Sequence, residues 1–202
     1  NLAAAYDMDK KYDEEIQALK KILMFSPEDI ELRSALSTAY FNSENYDEAL
    51  NHALCVIELD EKDPQAYCNL GSCYSAQNMT DQAIEAFQKA TEIDPDYSLP
   101  HTNLGSLYAT IGRIEKAIKE FKLATSMNQS DSLAWMNLYS CYKEIGRMED
   151  AQEAFRKYEN LMNQGPQEEN QTNIPGGVSS TGQLASGGNL DTASPGMEEL
   201  TS

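Results

Sequence analysis

The chain has 202 residues, 41% of them hydrophobic and 24% charged, with 33 acidic against 15 basic side chains and a net charge of −18. That length holds one well-buried domain plus a tail. The charge disfavours nucleic acid and anionic lipid, whose phosphates the long-range field repels, and favours a neutral to basic protein or peptide partner.

No apolar run approaches the ~18 residues that span a bilayer, so direct membrane insertion is not expected. Cys55, Cys68, Cys73 and Cys141 form no C-x-x-C pair and stand at no zinc spacing from a histidine, which excludes the common metal motifs. They read as reduced thiols of a cytoplasmic, intracellular protein. The chain opens on Asn1 rather than Met, as a piece cut from a longer protein would, which leaves a lost targeting segment open. The sequons at Asn78, Asn128 and Asn170 would matter only in a secretory compartment.

Tyr6, Tyr40, Tyr74, Tyr108 and Tyr142 recur every 34 residues, and Leu2, Leu36, Leu70, Leu104 and Leu138 keep the same step. A fixed period of this size marks a solenoid whose units bury their apolar faces only against neighbours. The first unit, 1–29, is truncated: it keeps Leu2, Tyr6, Leu19 and Pro27 but lacks much of its first helix. The second, 30–63, keeps Leu36, Tyr40, Ala49 and Ala53.

The third unit, 64–97, shows the local logic most fully. Asp63 before Pro64 starts helix A, the carboxylate capping free N–H groups. Tyr67, Leu70, Gly71 and Tyr74 then share one face at spacings of three and four. A polar turn over 77–80 follows, with Thr80 expected to cap helix B. Helix B presents Ala83, Ile84, Phe87, Ala90 and Ile93 and stops at Asp94-Pro95. The fourth unit, 98–131, carries His101, Leu104, Gly105, Tyr108, Ala117 and Phe121; His101 reads as a hydrogen-bonded core residue. The fifth, 132–165, carries Trp135, Leu138, Tyr142, Ala151 and Phe155, with Tyr139 where the others are small. Gly71 and Gly105, faced by Ala83 and Ala117, are expected where helix A and helix B approach closely. Residues 166–202 contain no Lys, Arg or aromatic residue and read as a disordered tail.

These residues match W-x2-L-G-x2-Y, then A-x3-F, then P, over residues 1 to about 163, and the chain resembles the tetratricopeptide repeat family. The resemblance implies an all-α, right-handed α-solenoid of antiparallel helical hairpins, five here, whose A helices line a concave groove. The family's role is non-catalytic protein binding in that groove.

The A-helix positions pointing away from the core are then the candidate site. In the second unit they include Thr38 and Phe41, and in the third Cys68, Asn69 and Ser72. The fourth contributes Leu99, Thr102, Asn103 and Ser106, and the fifth Leu133, Met136, Asn137, Ser140 and Lys143. Asn69, Asn103 and Asn137 repeat in phase, and a ladder of amides can pair with the backbone of an extended peptide without reading its sequence. A similar ladder lines the groove of protein O-GlcNAc transferases. At ~1 kcal/mol net per hydrogen bond, three amides fall short of the ~8 kcal/mol of micromolar binding, so side-chain pockets around Phe41, Leu99, Leu133 and Met136 must add to them. Ser34, Thr38, Asn69, Leu99 and Asn103 stand where carboxylate-clamping co-chaperones place Lys and Arg, so binding of chaperone C-termini is not expected.

Arg113, Lys116, Lys119 and Lys122 recur at steps of three on the fourth unit's helix B. They read as a solvated face or, alternatively, a local patch for an acidic partner. No nucleophile–base pair, phosphate-cradling loop or metal cluster is visible, so neither catalysis nor a cofactor is expected. Two alternatives remain at this stage. One is the substrate-recognition arm of a larger enzyme such as a protein glycosyltransferase; the other is a scaffold that forms homo-oligomers through the array ends.

Overall fold

The computed structural model describes the backbone of residues 2–163 and the side chains of 11–163. The tail expected over 166–202 lies outside the described residues, as do the side chains of Asn1, Leu2, Ala3 and Tyr6. Among the described residues the chain is all helix: α1 (Leu2–Leu23), α2 (Ile30–Asn42), α3 (Tyr46–Leu59), α4 (Pro64–Ala76), α5 (Thr80–Ile93), α6 (Ser98–Thr110), α7 (Ile114–Met127), α8 (Ser132–Glu144) and α9 (Met148–Asn163).

The A helices α2, α4, α6 and α8 each have 13 residues and begin 34 apart. Each is joined to its B helix by three residues, and α3, α5 and α7 lead into the next A helix through four. Short connections of this kind fold neighbouring helices back antiparallel.

The turns repeat as strictly as the helices. Glu44, Asn78, Gly112 and Gly146 all take positive φ, between 59° and 77°. The residue after each donates its N–H to the carbonyl of the unit's tyrosine, as Met79 does to Tyr74 at 2.8 Å and Arg113 to Tyr108 at 2.8 Å. This is the Schellman closure of a helix C-terminus, in which a left-handed residue lets two orphan carbonyls find donors. At the start of α2, α4 and α8, Asp29, Asp63 and Asp131 accept from the N–H groups of Leu32, Ala66 and Ala134 at 2.9–3.0 Å. Thr80 does not cap α5: it is the first helical residue, Met79 holds the cap position, and no side chain bonds there.

The Gly positions are explained by an aromatic ring rather than by the facing alanines. A Cβ on Gly71 would lie 2.7 Å from the ring of Phe87, and one on Gly105 2.6 Å from the ring of Phe121. Each phenylalanine of helix B therefore lies flat on the bare backbone of helix A, and both are fully buried. In the fifth unit Tyr139 fills that space, its ring centroid 5.0 Å from that of Phe155, and Phe155 is left half-buried.

The first unit is not a hairpin. Where four units turn, Lys10 continues α1 as one helix from Leu2 to Leu23. Lys10 stands at the phase of Glu44, Asn78, Gly112 and Gly146, yet the run Met8-Asp9-Lys10-Lys11 stays helical. α1 packs on α2 as a B helix would, with Ile16 buried among Leu36, Ala39 and Tyr40. Ile22 shares the phase of Val56, Ala90 and Ala124, all fully buried, yet it is 52% exposed: among the described residues α1 packs on one A helix, whereas α3, α5 and α7 each pack on two.

Candidate functional site: the inner face of the A helices

Successive A helices touch across unit boundaries (α2 with α4, α4 with α6, α6 with α8), whereas the B helices α3, α5, α7 and α9 do not touch one another. A row whose members touch on one side and stand apart on the other bends toward the touching side. The A helices therefore line the inner face.

Two clefts open on that face. One, of about 320 Å³, joins three A helices: Phe41 of α2, Ser72 and Ala76 of α4, and Asn103, Ser106 and Thr110 of α6. The other, of about 280 Å³, lies between α2 and α4 and is lined by Glu31, Ser34, Thr38, Asp63 and Gln65 among others. No Lys or Arg lines either cleft, and Glu31 and Asp63 make the second one acidic.

The thirteen expected site residues are placed unevenly. Phe41, Ser72, Asn103 and Ser106 meet in the first cleft. Phe41 is half-buried, with its ring centroid 5.5 Å from that of Tyr46. Leu99 and Leu133, equivalent positions one unit apart, are 46% and 58% exposed. Thr38 and Ser140 are exposed, and their hydroxyls donate to the carbonyls of Ser34 and Met136 at 3.1 Å. Met136 is half-buried, and the exposed Lys143 holds its ammonium 5.6 Å from the ring centroid of Tyr139.

Thr102 is not on offer to a ligand. It is fully buried, and its hydroxyl donates at 2.7 Å to Asp131, the same carboxylate that caps α8. Cys68, at the equivalent position of α4, is buried too, and burial pushes its thiol up to about 12.

The amide ladder has a second occupation. Asn103 donates to Ser72 Oγ and Cys68 Sγ, both at 3.5 Å, and Asn137 donates to Ser106 Oγ at 3.4 Å. These long contacts tie each A helix to the one before it. Asn69 repeats the position, but its buried Nδ2 finds no partner among the described residues. Sequence reasoning missed Ser75, Leu107 and Ile111 as lining of the first cleft, because the α4–α6 packing rather than helix phase exposes them.

His101 is a core histidine, with Nδ1 2.8 Å from Glu120 Oε2. His52 stacks on Tyr40 at 5.6 Å, and burial, then Arg33, holds its pKa below the ordinary value. Among the described residues no three His, Cys, Asp or Glu side chains are set to hold a metal ion. No helix there is long and apolar enough to cross a membrane.

Two tetratricopeptide repeat family profiles match the middle of the chain, over residues 64–97 and 86–119, each window one period long. The chain carries tetratricopeptide repeats there, in phase with the units on either side. A crystal structure of MamA is similar in fold, with a TM-score of 0.64 at 23% identity over 81% of this chain and 96% of that one. TTC0263, a thermophilic tetratricopeptide protein of Thermus thermophilus, gives 0.68 at 20% identity over 82% of this chain and 89% of its own. PilF of Pseudomonas aeruginosa gives 0.68 at 15% identity over 79% and 73%. None of the curated proteins matches the chain. The fold is thus an all-α tetratricopeptide solenoid, a framework that generally binds proteins and is typically non-catalytic.

Proposed function

We propose that the chain is a protein-interaction scaffold whose inner A-helix face takes an extended, neutral to basic peptide segment. The observation that carries this reading is the cleft joining Phe41, Ser72, Asn103 and Ser106 across three consecutive A helices. The exposed Leu99 and Leu133 continue the face in the same phase.

Magnitudes favour apolar anchoring over the amide ladder alone. Fully burying a leucine or phenylalanine is worth about 1.5–3 kcal/mol, and Phe41, Leu99 and Leu133, each already about half buried, together add about 2–4 kcal/mol toward the ~8 kcal/mol of a micromolar complex. Asn103 and Asn137 spend their N–H groups on the neighbouring helix, which leaves their carbonyl oxygens to accept from a peptide backbone. The acidic lining at Glu31 and Asp63 favours cations on the ligand near the start of the array.

The test is peptide display against the whole chain, with the selected peptides re-measured on Leu99→Glu/Leu133→Glu. Both positions are exposed, so the variant should fold as the parent does. Loss of at least tenfold in affinity is expected. Unchanged binding to the variant would sink the inner-face reading.

A further inference from the structure

The last two units differ in charge from the first three. Residues 1–97 carry 20 acidic and 7 basic side chains, whereas residues 98–163 carry 8 of each. Half of those eight cations are the α7 row: Arg113, Lys116, Lys119 and Lys122, all exposed. Steps of three drift by about 60° around a helix, so the row winds around α7 instead of forming a flat stripe. None of the four pairs with a carboxylate among the described residues. Glu120, which i, i+4 spacing would offer to Lys116, is held by His101.

Lys122 stands on the rim of a crevice of about 700 Å³, between α7 and α9 and floored by Trp135, Leu138 and Tyr142 of α8. Lys157 lines it from α9. Two carboxylates line it as well. Asp150 is engaged by Arg147 at 2.6 Å, which leaves Glu153 as the uncompensated one.

Register explains why this crevice is open. In the fourth unit His101 and Glu120 join at 2.8 Å. One period later the same positions are Trp135 and Ala154, so nothing reaches across. The indole N–H donates to the carbonyl of Gln129 at 3.0 Å, which leaves the face of the half-buried ring as an apolar surface.

We propose that this crevice is a second docking site, on the outer face, for an acidic peptide segment of a partner protein. Carboxylates of the segment meet Lys122 and Lys157, and one of its apolar side chains enters over Trp135 and Tyr142. At about 0.15 M salt the Debye length is ~8 Å, so the distant negative charge of the first three units is screened while the rim lysines act at contact. The inner-face clefts have no lysine or arginine lining, and the one between α2 and α4 is acidic, so neither attracts an acidic segment.

Trp135 is the only tryptophan of the chain, which makes its emission a local reporter. The experiment titrates the whole chain at about 0.15 M salt with a synthetic peptide of about twelve residues, Asp and Glu around one Phe, and with its Lys-substituted counterpart. The acidic peptide should shift Trp135 emission and bind; the basic one should do neither. Lys122→Glu/Lys157→Glu, both exposed and checked for helicity, should weaken binding at least tenfold, and Glu153→Gln should tighten it about two- to fivefold. Leu99→Glu/Leu133→Glu should leave this binding unchanged. Three results would each overturn the proposal: no binding of the acidic peptide, equal binding of the basic one, or indifference to the double charge reversal.

Discussion

The fourth and fifth units share the length of helix A, the turn and the start of helix B, yet they solve the same packing problem in opposite ways. In the fourth, Gly105 strips helix A to its backbone so that Phe121 can lie against it, fully buried, and His101 ties helix A to Glu120 of helix B. In the fifth, Tyr139 takes that space, Phe155 is pushed to the half-exposed edge, and Ala154 leaves Trp135 without a carboxylate partner. A unit flanked on both sides must close its interior, because neighbours bury its rings whatever their shape. Among the described residues the fifth unit has a neighbour on one side only, so a looser fit there costs less.

The contrast can be broken most directly at the rings. Phe121→Ala should destabilise the chain by about 3–5 kcal/mol, the usual range for emptying a buried aromatic site, and Phe155→Ala by about 1–2 kcal/mol, since that ring is already half in solvent. Urea unfolding of the two variants gives the comparison, and equal losses would mean that the two units are packed alike. Next in size is the glycine. Gly105→Ala should cost about 1–3 kcal/mol through its clash with Phe121, with partial recovery in Gly105→Ala/Phe121→Leu. A neutral Gly105→Ala would show that the ring can slide away.

Smaller effects sharpen the picture between units. Asn103→Ala should lose about 0.5–1.5 kcal/mol with its inter-helix bonds, whereas Asn69→Ala, removing a buried amide without a partner, should stay within about 0.5 kcal/mol of the parent. Chemical denaturation resolves that difference. Since His52 has its folded pKa held below the ordinary 6.5, the unfolded chain takes up the proton first as pH falls. The folded state is unpenalised above about pH 6.5 and loses stability progressively below it. His52→Phe, which keeps the stack on Tyr40, should narrow the gap in stability between about pH 7.5 and pH 5.5; an unchanged gap would assign the pH dependence to other groups.

Much of this architecture can be read from residue order alone, because a repeat writes each rule several times. Leu70 and Tyr74 at spacing four, Asp63 before Pro64 and Gly71 ahead of Phe87 all report local physics: helix phase, cap and close approach. What escapes that reading depends on contacts between units. Thr102 looks outward by phase, but the link into α8 lays Asp131 over it, 29 residues away, and the pair disappears into the joint. Lys10 has no signal that separates a turn from a continuing helix, and α1 runs straight through. The inner face was legible as a set of positions; its division into two clefts was not, since that follows from how α2, α4 and α6 lean together. The outer crevice follows from Ala154 standing one period after Glu120, a difference that gains meaning only once His101 and Glu120 are seen to meet.

The burial of the thiols has a practical side. Burial pushes Cys68 up to about 12 and Cys73 up to about 11, and raises Cys141 as well. A thiol that neither meets solvent nor ionises is closed to alkylating and disulfide-exchange reagents. Cys55 on α3 is the one of the four that is not buried. The native chain thus comes with a single addressable sulfur: a thiol-reactive dye should add rapidly once per molecule, and the remaining three only after denaturant is added. A spectroscopic label could be set at that one point on a B helix without any engineering of the sequence.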